Sequence, residues 1–401
     1  MPVSKIPSSE VELGMYIASL DRPWSETPFL FQGFEVHNQQ EIDELHDQSN
    51  FVYIMVPDEE IELKKPASYH DGAVKKSNRL HKVNYENRVS AMDELKAIRE
   101  VHETVVQLVS DIESLIQSEG TLRIEDLGQP VRVLVDSVIK NPDASLWLTR
   151  IRKFDSFVYK DSLSSAVWAT ALGRNMGMDE NDLYTLATGC MLMDVGKLAL
   201  PPELLHKTER LTHDEWEQMK SHVELGLSML QNDPDCSPDI LDIIRTHHER
   251  IDGSGFPAGL HGSQIPLFGQ IAGIVDFYVA ITTPRPFASV ISPSLAEQML
   301  YDNRDNYFDE SLVESFIQTL GTYPTGSLVE LSTGEVAIVM AQNPGLRLKP
   351  DIVMLLNEHK QQYDSFVWVS LPSYTRNDIP INIKHTLKDG SYGLSIDEIR
   401  L

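Results

Sequence analysis

The chain has 401 residues, 41% of them apolar and 8% aromatic, enough for two or three soluble globular domains. Its formal charge of −26 argues against a DNA- or RNA-binding footprint, because counterion release needs clustered Lys and Arg. No apolar run reaches the ~18 residues of a membrane span and the opening Met-Pro-Val-Ser-Lys-Ile-Pro has no signal-like apolar stretch, so a cytoplasmic protein without membrane insertion is expected.

Residues 1–64 read as a small α+β domain. Met15 to Leu20 and Phe51 to Val56 alternate like strands, and Gln39 to His46 has the pattern of a short amphipathic helix. Lys64 to about Asn87 is polar, with two Lys-Lys pairs, Pro66 and Gly72, and residues 65–88 read as a linker. Over 89–118 the apolar positions Leu95, Ile98, Val101, Val105, Leu108, Val109, Ile112 and Leu115 recur mostly at intervals of three and four. That spacing predicts a long amphipathic helix, which can pack on the following domain or pair two chains as a homo-oligomer. Residues 119–320 read as helices throughout, with breaks expected at Gly128-Gln129-Pro130, Asn141-Pro142, Gly177, Pro201-Pro202, Asp233-Pro234, the glycine-rich turn after His248, and Pro284 to Pro286. Residues 321–401 change character: Gly326 to Met340 reads as a hairpin turning at Thr333-Gly334, and Ile352 to Leu356 as a further strand, a short β-rich appendage. The fold expected is therefore mainly α. The two cysteines, Cys190 in an apolar helix and Cys236 in a loop, match no disulfide framework or zinc spacing.

The chemistry gathers in the helical part. His247-His248-Glu249-Arg250-Ile251-Asp252-Gly253-Ser254-Gly255-Phe256-Pro257 places two histidines at the end of the apolar run Ile240 to Thr246. Neutral imidazole is the commonest side-chain metal ligand, although a histidine at a helix C-terminus also suits the macrodipole. Upstream, Asp194 and Lys197 sit three residues apart on what reads as an apolar helix, where a carboxylate must be paired or coordinated. A simple salt bridge between them is the alternative. His222 is followed four residues later by Gly226 inside a helical pattern, and Asp276 stands in Ile271 to Ile281, a run apolar on nearly every face. No single helix can surround an ion, so a hydrolytic metal site needs such residues from several helices.

The stretch from His247 to Pro257 resembles the His-His-Glu, Asp-Gly, Gly-Tyr-Pro signature of the HD-GYP domains, a branch of the HD phosphohydrolases whose members hydrolyse cyclic di-GMP. Phe256 stands where that signature has Tyr. Leu20 to Phe34 resembles the domain of unknown function that often precedes HD-GYP domains in proteobacteria. The resemblance implies a helical HD-type bundle and a divalent metal, Fe, Mn or similar, held by Asp194, His222, His247 and His248. It further implies a second metal sharing Asp194 with Asp276 and two histidines. Those two positions are Met193 and Asp161 here. A thioether is a poor partner for such ions, whereas Asp161 offers an oxygen, so one well-formed site is expected. Asp194 and Lys197 are the implied catalytic groups, and Lys197, Gly255, Phe256, Pro257 and Arg285 the implied substrate contacts. The function implied is cyclic di-GMP phosphodiesterase, with signalling proteins as partners of the N-terminal domain. The alternative is a degenerate domain that binds cyclic di-GMP or protein and turns nothing over.

Overall fold

The computed structural model describes residues 3–12, 15–20, 34–36, 42, 45–46, 49, 51–55, 83–95, 122–151, 157–205, 207, 211–283, 293–343, 346–376, 379–388 and 390–394. The chain divides into two compact units, residues 1–73 and 74–401.

In the first unit, β1 (Val3–Pro7), β2 (Tyr16–Leu20), β3 (Phe34–Glu35) and β4 (Phe51–Met55) form an antiparallel sheet in the order β1-β4-β2-β3. Val11, Val36, Ile42, Leu45 and Val52 make its small core. Most of the stretch expected to form a helix at 39–46 lies outside the described residues, as does most of the long helix expected at 89–118, of which 91–95 is helical.

The second unit begins in the described residues with a segment bound to helices. Val83 N donates to Gly177 O, the Tyr85 hydroxyl to Met178 O, and Ser137 Oγ to a buried Glu94 carboxylate. Eleven described helices follow: α1 (Ile124–Lys140), α2 (Pro142–Ile151), α3 (Phe157–Met176), α4 (Glu180–Leu192), α5 (Pro202–Leu205), α6 (His213–Lys220), α7 (His222–Leu230), α8 (Pro238–Thr246), α9 (Leu267–Thr282), α10 (Pro293–Asp302) and α11 (Glu310–Leu320). Their ends follow local chemistry. Asp179 caps α4 through Asp182 N, Ser237 caps α8 ahead of Pro238, and Gly177, at φ 80°, ends α3. One expected break is absent: α1 runs through Gly128 and Pro130. Proline removes one helix hydrogen bond there, but Leu127, Val131, Leu134, Val135 and Val138 bury one continuous face and outweigh that loss. At the centre of the bundle Trp168 of α3, Tyr278 of α9 and Phe316 of α11 meet edge to face, with centroids 5.2–5.6 Å apart.

The C-terminal strands form a five-stranded antiparallel sheet, β11-β5-β6-β7-β8, from β5 (Leu328–Leu331), β6 (Val336–Ala341), β7 (Asp351–Leu356), β8 (Gln362–Ser370) and β11 (Ile383–Leu387), beside a two-stranded pair, β9 (Thr375–Arg376) and β10 (Ile379–Pro380). The expected hairpin is β5 and β6, and Gly334 takes φ 91° in its turn. The sheet packs on the bundle because Trp147 of α2 inserts among Leu328, Val336, Ile338, Met340 and Val353. Asp143, at the start of the same helix, accepts hydrogen bonds from the Thr325 hydroxyl at 3.0 Å and from Gln342 N at 3.1 Å.

Candidate metal centre

Asp194 was expected on a helix, but α4 stops at Leu192. Asp194 sits in the bridge region at φ −101°, ψ 6°, just before a 3-10 turn over Val195–Ala199. The turn forms because Gly196 lets two backbones touch. A Cβ on Gly196 would lie 2.0 Å from His222 O and 2.5 Å from Gly226 N, so a side chain there would push α7 and its first residue away from Asp194. On the opposite side, Gly273 of α9 brings its backbone against His247, where a Cβ would meet His247 O at 2.9 Å.

These approaches bring Asp194, His222, His247 and His248 together, one ligand atom from each lying within 4.8 Å of all the others. His222 Nδ1 donates to Met219 O at 2.7 Å and His247 Nδ1 donates to Ile244 O at 2.9 Å. Each bond fixes the tautomer and leaves Nε2 as a lone pair. The two Nε2 atoms then face each other at 3.5 Å, lone pair to lone pair. Asp194 Oδ1 stands 3.4 Å from His222 Nε2 and 3.7 Å from His247 Nε2, is buried, and has no hydrogen-bond partner. Three inward-facing acceptors without a proton between them are repulsive by themselves and become favourable around a cation. The donor set fits a divalent metal.

Electrostatics agree with that fit. Burial pushes the Asp194 carboxyl up, but the Lys197 ammonium beside it outweighs that and holds the group well below the usual carboxylate range. Burial lowers His222 to about 4 and also takes His248 well below the ordinary imidazole value, so both rings stay neutral and able to ligate. Lys197 Nζ donates to Asp194 Oδ2 at 2.7 Å, which holds that oxygen and turns the other toward the histidines. Asp276 lies at the edge of the group, its Oδ2 3.5 Å from His248 Nδ1; burial and then the charge of Asp194 raise its carboxyl. Asp161 is buried on α3 and is not one of the four clustered residues, and Met193 is packed in the apolar core. Arg285 lies outside the described residues.

The loop after the histidines is built around Glu249. Its buried carboxylate accepts from Ala258 N at 2.7 Å and Leu260 N at 2.9 Å, clasping the segment that contains Gly255, Phe256 and Pro257. Gly255 runs so close to the chain it folds over that a Cβ would lie 2.4 Å from both Arg250 N and the Glu249 Cα. The clasp puts Phe256 over His248, the rings stacked at 4.5 Å. The sequence singled out the loop but not this organising role, which an acid beside two histidines does not reveal. Arg250 was also missed: its guanidinium donates to His247 O and Glu249 O and lies over Phe308, tying the histidine pair to the helices beyond.

A helical domain that brings together a buried carboxylate, a histidine from the start of α7 and a histidine pair from the end of α8 has the donor set of a hydrolytic metal centre. A family model described as HD domain matches residues 149–312, and one described as Domain of unknown function (DUF3391) matches residues 3–127. The chain thus carries an HD domain with that domain of unknown function in front. It is 27% identical over 355 residues, 87% of this chain and 84% of the relative, to the cyclic di-GMP phosphodiesterase PA4108 of Pseudomonas aeruginosa. It is 32% identical over 151 residues to the cyclic di-GMP phosphodiesterase response regulator RpfG of Xanthomonas campestris, covering 37% of this chain and 40% of that relative. Among solved structures, Bd1817, a HDG"Y"P protein from Bdellovibrio bacteriovorus, superposes with a TM-score of 0.44 at 16% identity, over 80% of this chain and 99% of that one. Among the described residues, no helix is long and apolar enough to cross a membrane.

Proposed function

We propose that the chain is a metal-dependent phosphodiesterase that hydrolyses cyclic di-GMP in bacterial second-messenger signalling. The observation that carries this reading is the facing of two imidazole lone pairs and the unpartnered Asp194 oxygen across one small space. The reading takes Asp194, His222, His247 and His248 as ligands of a single Fe, Mn or similar ion. Such an ion supplies Lewis-acid polarisation of a phosphoryl oxygen and acidifies water. Lys197 keeps Asp194 ionised and oriented and puts its ammonium beside the reacting phosphate, where negative charge develops. Phe256 closes one wall of the site against His248 and excludes water from that side. Gly255 and Pro257 shape that wall, and Arg285 is the proposed second cationic contact to phosphate. The chemistry is cytoplasmic, and the N-terminal unit links it to signalling proteins.

A second reading rests on Met193 and Asp161. With Met193 in the apolar core, a second metal loses an imidazole, and a domain so reduced can serve as a cyclic di-GMP or protein-binding module. Elemental analysis and cyclic di-GMP turnover separate the two. The enzyme reading expects about one tightly held metal per chain and slow, metal-dependent turnover abolished by His248→Ala. It also expects more metal and a faster rate in the Met193→His, Asp161→His double variant. Cyclic di-GMP binding without turnover under any divalent metal establishes the binding module instead.

A further inference from the structure

The HD-GYP loop ends in an aromatic run that leads from the metal cluster to the surface. Phe256 stacks on His248 at 4.5 Å with 27° between the rings, and Trp216 of α6 meets Phe256 edge to face at 6.0 Å and 79°. Trp216 is 45% exposed, whereas Trp147 and Trp168 are almost fully buried in the cores they serve. An exposed indole next to a site leaves apolar aromatic surface and a ring face free for a planar ligand. Here the ring meets Phe256 and a large part of the indole stays exposed.

The helix that carries Trp216 is held firmly for its length. Thr212 and Glu215 form a reciprocal capping box, and Lys207 Nζ bonds both Glu215 oxygens at 2.6 Å. One turn after Trp216, on the same face, Lys220 places Nζ 5.8 Å from the Phe256 centroid. Its partner, Glu217 at 2.7 Å, is an exposed neighbour, so the pair is weak and the ammonium can turn to another anion. Immediately beyond Lys220 and Ser221 comes His222, the first residue of α7 and part of the metal cluster. A rigid half-open indole, a cation on the same face and a phosphate-binding centre two ring steps away match a nucleotide: base outward, phosphate inward.

We infer that Trp216 is the base-stacking platform of the site, taking a purine base of the cyclic dinucleotide on its exposed face, with Lys220 neutralising charge at the same edge. The inference rests on the cyclic di-GMP reading for its natural ligand, and it adds a specificity-determining residue that the metal cluster does not require. A stacking face is tolerant of which purine it holds, because every base has a π-face. Trp216 therefore selects nucleotides over base-free phosphate esters.

The test compares wild type, Trp216→Ala and Trp216→Phe as metal-loaded full chains. Trp216→Ala is expected to raise KM for cyclic di-GMP roughly 5- to 150-fold, the usual loss for one stacked base, with kcat within about twofold of wild type. Trp216→Phe is expected to restore most of the affinity. Inhibition by inorganic phosphate, which has no base, should keep the same Ki in all three proteins. Guanosine 5′-monophosphate should quench tryptophan fluorescence in wild type, and that quenching should vanish in Trp216→Phe. An unchanged KM in Trp216→Ala overturns the inference while leaving the phosphodiesterase reading intact. If wild type turns over no cyclic di-GMP, that reading fails; the fluorescence titration then decides this one, and quenching that persists in Trp216→Phe overturns it.

Discussion

Two buried aspartates, one in the metal cluster and one at the junction of bundle and sheet, show how neighbours set the meaning of a carboxylate. Asp194 and Asp143 are both withdrawn from water. Burial raises both, yet Asp194 ends well below its ordinary value because the Lys197 ammonium sits against it, whereas Asp143 is pushed up to about 6 because burial outweighs what its neutral contacts, the Thr325 hydroxyl and Gln342 N–H, can offset. The first is an anion with one oxygen left for a cation. The second is a staple that holds α2 to the sheet. Burial of an acid thus marks neither a site nor a core by itself; the identity of the groups facing it does.

The sharpest way to break this contrast is to neutralise each acid in turn. Asp194→Asn removes the anionic oxygen and aims amide hydrogens or a weaker ligand at the histidines. Metal content should fall from about one per chain toward zero and cyclic di-GMP turnover by more than about a hundredfold, beyond the 10–100-fold typical of losing a supporting hydrogen bond to a ligand. Asp143→Asn should leave metal content unchanged. Retained metal in Asp194→Asn, seen by elemental analysis after dialysis, would remove that residue from the ligand set.

A smaller effect lies in the pH dependence of stability. For Asp143 the folded value of about 6 is above the ordinary value of 3.8, so the native state holds the proton more tightly than the unfolded chain. Its contribution is full below about pH 4 and is lost as pH rises through about 6. Asp194 has the opposite sign: its contribution is present at neutral pH and lost on acidification. Asp143→Asn can keep both contacts, since the Thr325 hydroxyl can accept from the amide. Relative to wild type, that variant should gain about 2 kcal/mol of stability between pH 4.5 and pH 7.5, read by denaturant titration at each pH. A constant difference across that range would mean that Asp143 is ionised in the fold by some other partner.

The smallest expected change comes from Thr325→Val, which removes one donor and keeps the shape. It should cost about 1–2 kcal/mol at pH 7 and raise the apparent pKa of Asp143 further, with no effect on metal content. A loss of metal in this variant would show that junction and cluster are coupled.

Much of this was written locally. Periodicity gave the helices of residues 119–320, Thr333-Gly334 gave the hairpin turn, and the stretch from His247 to Pro257 pointed to a metal, because imidazole pairs and glycine turns are chemical signals within a few residues. Other features were invisible at that range. The Gly128 and Pro130 signals were local and misled, since burial of one face of α1 decided the matter. β8 and β11 flank the three strands that stood out, and the mixed Gln362–Ser370 and Ile383–Leu387 gain their place by pairing with β7 and β5.

By itself the sequence determined which residue types were available for the centre: three histidines, a carboxylate and a lysine, with Met193 and Asp161 at the two positions where the family resemblance implies further imidazoles. Only the tertiary structure decided which lone pairs meet. That depends on α7 approaching the turn at Gly196, on α9 approaching His247 at Gly273, and on carbonyls of Met219 and Ile244 holding each imidazole by Nδ1. Residues 28 and 25 positions apart, Asp194 with His222 and His222 with His247, can share an ion only when packing between helices supplies the proximity that no local rule contains.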